Sequence, residues 1–442
     1  MRETEIMAIL LDWNFWGNFK ERLHARLSYL SIIEKISSKK TATVLSGVRR
    51  AGKSSLAYLF LQRLIGQKKK NTKDLLIVNF EDLRFPPVLT SKDLLDIYEA
   101  YVKNICPTKP FIVLDEVQVA KGWEKFVRYL LEVKKANVIV TGSSSKLLSR
   151  EISTVITGRY VNVEVFPLSF KEFLDFKNLK LTNDLDVIKN KLSIIKFFEE
   201  YVRWGGFPEV VLSHSIQRKQ ELLRRYFDDI LMKDTVKRFG ITEIEKLENL
   251  ASVYISNIST LQSFNKLKEK IGVSLDTVER FSKCLELSKL FFFLKKFDYS
   301  TGKQIRSVQK VYTIDPGFYS IKGFRFSENF GRIAENMVAI ELFRRSALNQ
   351  KLELYYWRDY QEREVDFVIK NRRKIKQLVQ VTTISEFEDI DKKTLDSLVK
   401  ASSETKCNNL VVITKDYENE QKIKGKTISF IPIWKYLIRY NR

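Results

Sequence analysis

The sequence predicts an α/β protein whose leading part is a parallel sheet wrapped by helices, followed by a helical segment and two smaller modules. Three observations carry this expectation. Between residues 41 and 165, five short, apolar, β-branched runs alternate with longer amphipathic stretches. Strands that are apolar on both faces and separated by helix-length segments belong to a parallel sheet covered on each side. The first run flows into a glycine-bounded bend, GVRRAGKS, and then directly into a helix-length segment. Beyond residue 166 the alternation stops, and 442 residues are too many for one core when about 150 is usual for a domain.

Taken in order, the strand-like runs are TATVLSG (41–47), DLLIVNF (74–80), FIVLDE (111–116), VIVTGSS (138–144) and YVNVEV (160–165). They place the sheet domain in residues 1–166. Residues 167–240 read as a helical lid: Ser169 and Glu172 stand at capping-box spacing ahead of an apolar face, and RWGGFPE (203–209) breaks two helices at a glycine pair. Residues 241–328 change again. One helix turns Phe264, Leu267 and Ile271 inward, Gly272 marks a turn, and a second helix starts at Ser274 with Val278, Phe281 and Leu285 on its inner face. Two strands around Ser300–Gly302 follow, and that order predicts a winged helix-turn-helix. Residues 329–442 open with a helix, continue with a strand, basic turn and strand (EVDFVIKNRRKIKQLVQVT, 364–382), and end as mixed α/β.

Composition narrows the class. Hydrophobic residues at 44% and charged residues at 30% describe a soluble globular chain. Apolar runs such as LFFFL (290–294) fall far short of the roughly 20 residues that cross a bilayer. The amino-terminal stretch lacks the basic flank and apolar centre of a secretory signal. Cys106, Cys284 and Cys407 lie far apart and, with only His24 and His214, form no zinc set, so reduced thiols in the cytoplasm are expected. The net charge is +23 and unevenly spread: +11 over residues 1–150, zero over 151–250 and +12 over 251–442. Two basic ends around a neutral middle suit a polyanion partner such as DNA, against the alternative of a generally basic proteome.

The bend Gly47–Ser54 has the spacing G-x-x-x-x-G-K-[ST] between a strand and a helix, the context a phosphate-binding loop needs. Gly47 and Gly52 allow positive φ, so that the backbone N–H groups of Gly47, Val48, Arg49, Arg50, Ala51, Gly52, Lys53, Ser54 and Ser55 can wrap an anion at a helix start. Lys53 is expected on the β/γ oxygens of ATP and Ser54 on Mg²⁺. FIVLDE ends a buried strand in two carboxylates, a costly placement without a nearby cation. Asp115 is therefore the candidate for the magnesium shell and Glu116 for polarising the attacking water. Thr141, Ser143 and Ser144 are candidates for sensing the γ-phosphate, Ser143 being taken as the catalytic one.

With these residues in view, the chain resembles the prokaryotic AAA-type, P-loop ATPases that carry a winged helix and a C-terminal nuclease-like domain. The shared stretches run nearly end to end: DWNFW, GVRRAGKSSL, VNFEDLRF, VLDEVQVAKGWEKFVRYL, VTGSSSKLLSREISTVITGRY, FPLSFKEFL, RWGGFPEVV and YYWRDYQEREVDFVI. The resemblance implies an ATP-hydrolysing core, a superfamily habit of ring formation, and a restriction-endonuclease-like last domain. Arg159 in GRY is then a transition-state arginine or, equally, a structural ion pair. In the endonuclease-like fold the acid positions fall on Glu335 and Asp366, while Gln380 and Thr382 stand where an acid and a lysine are required. A vestigial nuclease site that still binds a polyanion through Arg372, Arg373, Lys374 and Lys376 is the expectation. On the winged helix, three of six outward residues of 274–287 are acids, but Lys295, Lys296, Lys303, Arg306 and Lys310 line the hairpin. The expected function is a Mg²⁺-dependent ATPase engaging DNA; the alternatives are a nucleotide-controlled switch for a protein partner and an ATP-dependent nuclease.

Overall fold

The structure is a computed structural model that describes residues 1–19, 23–37, 41–142, 158–322, 330–349 and 351–439. It comprises two compact units, Met1–Val165 and Phe166–Arg442. Among the described residues, no helix is long and apolar enough to cross a membrane.

In the first unit, β1 (Ala42–Gly47), β2 (Leu75–Asn79), β4 (Phe111–Asp115), β6 (Asn137–Thr141) and β7 (Tyr160–Val165) form one sheet in the order β2-β4-β6-β1-β7, every pair parallel. These are the five apolar runs. β3 (Leu89–Thr90) and β5 (Ala120–Lys121) make a separate two-stranded pair that the pattern did not foreshadow. β1 is buried throughout, as a strand covered on both faces must be. Because the strands run one way, Gly47, Asp115 and Thr141 all arrive at the same edge, where the order of an open parallel sheet makes a crevice.

The opening DWNFW stretch secures the sheet's free side. Asn14 is buried; its Oδ1 accepts from the Ile77 N–H at 2.7 Å and its Nδ2 donates to the Ile77 carbonyl at 2.9 Å. Trp16 Nε1 donates to the Leu75 carbonyl at 2.9 Å, and Trp13 Nε1 to Asp82 Oδ2 at 2.7 Å. β2 is an edge strand, and side-chain groups take over the ladder bonds a missing neighbour would supply.

The second unit begins helically. Ser169 and Glu172 close the expected capping box, Ser169 Oγ accepting from the Glu172 N–H at 3.2 Å and Glu172 Oε2 from the Ser169 N–H at 3.0 Å. Gly205 and Gly206 follow the helix Lys191–Trp204, and both are sterically required. A Cβ on Gly206 would lie 2.3 Å from the Leu168 carbonyl oxygen, and one on Gly205 (φ +72°) 1.6 Å from Asp315 Oδ1.

Next come β8 (Leu261–Gln262), the helices Phe264–Ile271 and Leu275–Leu287, β9 (Phe291–Leu294) and β10 (Gln309–Thr313), the strands ordered β8-β10-β9. Gly272 turns at φ +70° and Ser274 Oγ accepts from the Thr277 N–H, as the sequence indicates. The link from β9 to β10 differs from the simple turn expected at 300–302. Residues 295–297 leave the pair and hydrogen-bond to Tyr356, after which Thr301–Arg306 forms a short helix.

The last part holds the helix Phe330–Leu348 and six strands, β11 (Leu352–Arg358), β12 (Glu364–Asn371), β13 (Lys374–Val381), β14 (Leu410–Thr414), β15 (Asn419–Ile423) and β16 (Lys426–Pro432). Their order is β11-β12-β13-β14-β16-β15, antiparallel from β11 to β13 and parallel from β13 through β16. The helix Lys392–Thr405 bridges the parallel pair β13 and β14. The strand–turn–strand stretch at 364–381 is thus a true hairpin, with Arg372 at φ +55° in its turn.

Candidate functional site

The loop after β1 owes its shape to two glycines. Gly47 has φ +143°, and a Cβ there would sit 2.1 Å from the Val165 carbonyl oxygen. Gly52 has φ +89° and caps the helix Lys53–Gly66. Arg50 also has positive φ (67°), so the loop curls around its own N–H groups. Val48 and Ala51 are buried, Arg50 is exposed, and Arg49 pairs with Glu81 at 3.4 Å. Ser55, Gly52 and Ser54 are half-buried. Lys53 is buried, its amine donating to the Gly47 and Val48 carbonyls at 3.2 Å each. Below the loop, buried Arg26 donates to the Ala51 carbonyl at 2.9 Å and stacks 4.5 Å over Tyr29.

Asp115 gathers three hydroxyl groups. Ser54 Oγ donates to Oδ1 at 2.7 Å, Tyr58 OH to Oδ2 at 2.9 Å, and Thr141 Oγ1 to Oδ1. Burial pushes its carboxyl above the usual aspartate range; the Thr141 bond opposes this and the charge of Glu116 reinforces it. A serine hydroxyl in contact with a carboxylate, next to the loop lysine, is the all-oxygen pair that holds magnesium alongside phosphate oxygens and water. The residues present fit that ion. Among the described residues no set of three or more His, Cys, Asp or Glu side chains could hold a metal by itself.

Glu116 adopts φ +53°, just beyond the strand end. Its N–H donates to Thr141 Oγ1 at 3.1 Å, and Gln118 Nε2 donates to its carboxylate. Thr141 is fully buried and ties the two acids together rather than standing free to meet a phosphate. Ser143 and Ser144 lie outside the described residues. Arg159 is half-exposed and pairs with Glu132, the structural alternative that its sequence context left open.

Of the site's residues, Tyr58 could have been found in the sequence, one helical turn after Ser54. Arg26 and Gln118 carried no such signal.

A second constellation lies in the other unit. Glu335 on the helix Phe330–Leu348, Asp366 on β12 and Gln380 on β13 do come together. The cation between them is Lys310, from β10. Its amine lies 2.9 Å from Glu335 Oε1, 2.6 Å from Glu364 Oε1 and 2.9 Å from Asp366 Oδ1, with the side chain only 3% exposed. This corrects the expectation that Lys310 faces outward along a hairpin; β10 is the middle strand of its sheet and turns it inward. Three carboxylate oxygens match the three N–H donors of an ammonium. Gln380 Nε2 and the Val381 N–H fill Asp366 Oδ2 at 2.7 and 2.9 Å, and Tyr312 OH donates to Glu335.

Burial, then the charge of Asp366, raises the Glu335 carboxyl well above its ordinary range. Burial works against the charged form of Lys310, but Asp366 and Glu335 outweigh it and its pKa is raised. Glu364 was missed in the sequence although it stands two residues before Asp366, on the same face of a strand. Lys374 and Lys376 are exposed on the hairpin and do not reach in.

Residues 39–174 match the AAA domain family, and residues 195–324 and 330–436 match two families described as domains of unknown function, DUF8612 and DUF4143. The chain is 35% identical over 409 residues to the uncharacterized protein MJ1544 of Methanocaldococcus jannaschii, covering 90% of this chain and 88% of that one. It is 28% identical over 417 residues to an uncharacterized protein of Haemophilus influenzae, covering 93% and 98%. A DNA polymerase III gamma subunit-related protein from Thermotoga maritima aligns over 59% of this chain and 96% of its own at 14% identity. Its TM-score of 0.26 is too low to bear on the fold.

Proposed function

This chain belongs to the family of the archaeal protein MJ1544 and carries an AAA domain at residues 39–174, and from that premise we propose that it is a magnesium-dependent ATPase that couples nucleotide state to nucleic-acid engagement. The observation that carries the reading is the contact of Ser54 with Asp115 at 2.7 Å, beside a buried lysine in a glycine-bounded loop. On binding ATP, the Lys53 amine exchanges two neutral carbonyls for phosphate oxygens, a stronger charge-assisted pairing. The loop N–H groups and the start of the helix Lys53–Gly66 receive the remaining negative charge. Ser54 and Asp115 would hold a magnesium ion, which when bound would supply charge neutralisation to the phosphates. Glu116, released from Gln118, takes the proton of the attacking water. Arg26 acts on none of the reacting atoms; it positions the loop through the Ala51 carbonyl.

Glu116→Gln should bind ATP as tightly as the parent and turn it over at least about 100-fold more slowly, the usual scale for losing a general base. Equal turnover in a steady-state phosphate-release assay would remove the assignment.

The nucleic-acid part of the reading rests on basic character in the carboxy-terminal half, where the modules over residues 241–328 and 329–442 read as winged-helix and endonuclease-like. One observation favours a protein partner at the helix Leu275–Leu287: Asp276 and Glu279 are exposed, while Arg280 and Lys283 already face Glu243 and Glu286. Nuclease activity is disfavoured because Lys310, on β10 of the three-stranded sheet, already pairs with the acids. We therefore read this domain as a nuclease-like scaffold with a built-in cation.

A further inference from the structure

Among the described residues, the β12–β13 hairpin carries cations with no carboxylate in ion-pair distance. Several basic side chains of this domain are matched by acids: Lys370 with Glu353 at 2.8 Å, Lys400 with Asp359 at 2.7 Å and Lys424 with Asp396 at 2.6 Å. Arg372, Arg373, Lys374, Lys376 and Lys406 are exposed and have no carboxylate within ion-pair distance among the described residues. Arg372, Arg373, Lys374 and Ile375 line two open clefts of about 790 and 800 Å³.

The larger cleft has an aromatic wall. Tyr299 is 79% exposed, yet it is not loose: its ring meets Phe297 edge-on at 5.2 Å, and Phe297 in turn meets Tyr355 at 5.8 Å. Phe297 belongs to the domain's core, and its N–H donates to the Tyr356 carbonyl at 2.6 Å. A large ring left in water while its neighbour is anchored in the core is a prepared stacking surface. The two acids of the cleft are already engaged, Glu353 by Lys370 and Tyr355, Asp298 by the Ser300 N–H.

We propose that this cleft binds single-stranded nucleic acid, its phosphates along Arg372, Arg373, Lys374 and Lys406 and a base on Tyr299. The inference rests on the nucleic-acid reading above and gives it a site. Unpaired cations around a hollow with an open aromatic face suit a flexible strand, whose bases are free to stack. A duplex presents no such face. The helix Leu275–Leu287, with its exposed acids, is a poorer surface for either.

The test is fluorescence anisotropy of the full chain with labelled oligothymidine, oligouridine and a duplex of equal length, at 50 and 200 mM salt. One or both single strands should bind more tightly than the duplex, the tighter of them identifying DNA or RNA. Four to five phosphate contacts should weaken binding about a hundredfold between the two salts. Tyr299→Ala should lose about 5- to 100-fold, with Tyr299→Phe close to the parent, and Arg373→Glu with Lys374→Glu should lose most of the affinity. Basal ATP turnover should stay unchanged in all of these, so a failed ATPase reading is scored separately by Glu116→Gln. Tighter duplex binding, no binding at 50 mM salt, undiminished binding in the Tyr299→Ala and charge-reversed chains, or displacement by polyglutamate as effective as by oligonucleotide would each overturn the proposal.

Discussion

Lys310 shows how far one side chain can redirect a site. An ammonium makes three hydrogen bonds and is then satisfied, whereas magnesium demands about six oxygens at shorter range. The geometry around Lys310 is that of the amine. Removing it should leave buried Asp366, with Glu335 and half-buried Glu364, facing one another without a cation. Lys310→Met is therefore expected to destabilise the folded chain by about 3–5 kcal/mol in urea unfolding at pH 8. The sign with pH is definite. The Glu335 carboxyl is already raised by burial and by the charge of Asp366; without the opposing amine it holds its proton more tightly still than the unfolded one does. Stability is then present at low pH and lost as pH rises, so the deficit at pH 5 should be smaller than at pH 8. A deficit that is flat with pH would mean the acids are not what Lys310 serves. Asp115 is the opposite kind of buried acid, answered by three hydroxyl groups and one residue away from further negative charge.

Elements are joined by similarly small devices. Asn14 stands in for a neighbouring strand on β2, and Asn14→Ala should cost about 1–3 kcal/mol by leaving the Ile77 N–H and carbonyl unpaired in a buried place. Thermal unfolding of the variant checks this. Asp315 ties the glycine pair after the helix Lys191–Trp204 to the segment following β10, accepting from the Gly206 N–H at 2.7 Å and the Gly317 N–H at 2.9 Å. Burial raises its carboxyl to about 7, the two N–H donors working the other way. A folded value above the unfolded one means the contribution is complete below about 3.8 and fades as pH rises through 7. Asp315→Asn should remove that fading, flattening the stability profile between pH 5 and 8. An unchanged profile would assign the pH dependence elsewhere.

At the scale of the whole molecule, the proposed ATPase and the proposed strand-binding cleft lie in different units. Coupling between two sites is a reciprocal free energy. If the units communicate, oligonucleotide should raise ATP turnover, and ATP in the Glu116→Gln chain should shift oligonucleotide affinity by a factor that the reverse titration reproduces. Tyr299→Ala should keep basal turnover and lose the stimulation. Turnover indifferent to oligonucleotide would sever the two activities without touching either site.

What the sequence determined by itself was local and periodic. Gly47, Gly52, Lys53 and Ser54 were legible as a glycine-bounded bend because their fixed spacing falls between an apolar strand-like run and a helix-length segment. Asp115 and Glu116 were legible because two charges at the end of an apolar run demand a reason. The capping box at Ser169 and the hairpin at 364–381 followed from the same short-range rules. Tertiary structure alone decided which cation answers the acids of the last domain, since Lys310 and Asp366 are 56 residues apart, on strands of two different sheets, and meet only once those sheets come together. It also brought Arg26 under the loop and gave Asn14 to the sheet edge. The physical reason is common to all three. Each contact joins elements whose approach is fixed by burial of apolar faces, and the polar side chain is selected afterwards by whatever unsatisfied group that burial leaves behind.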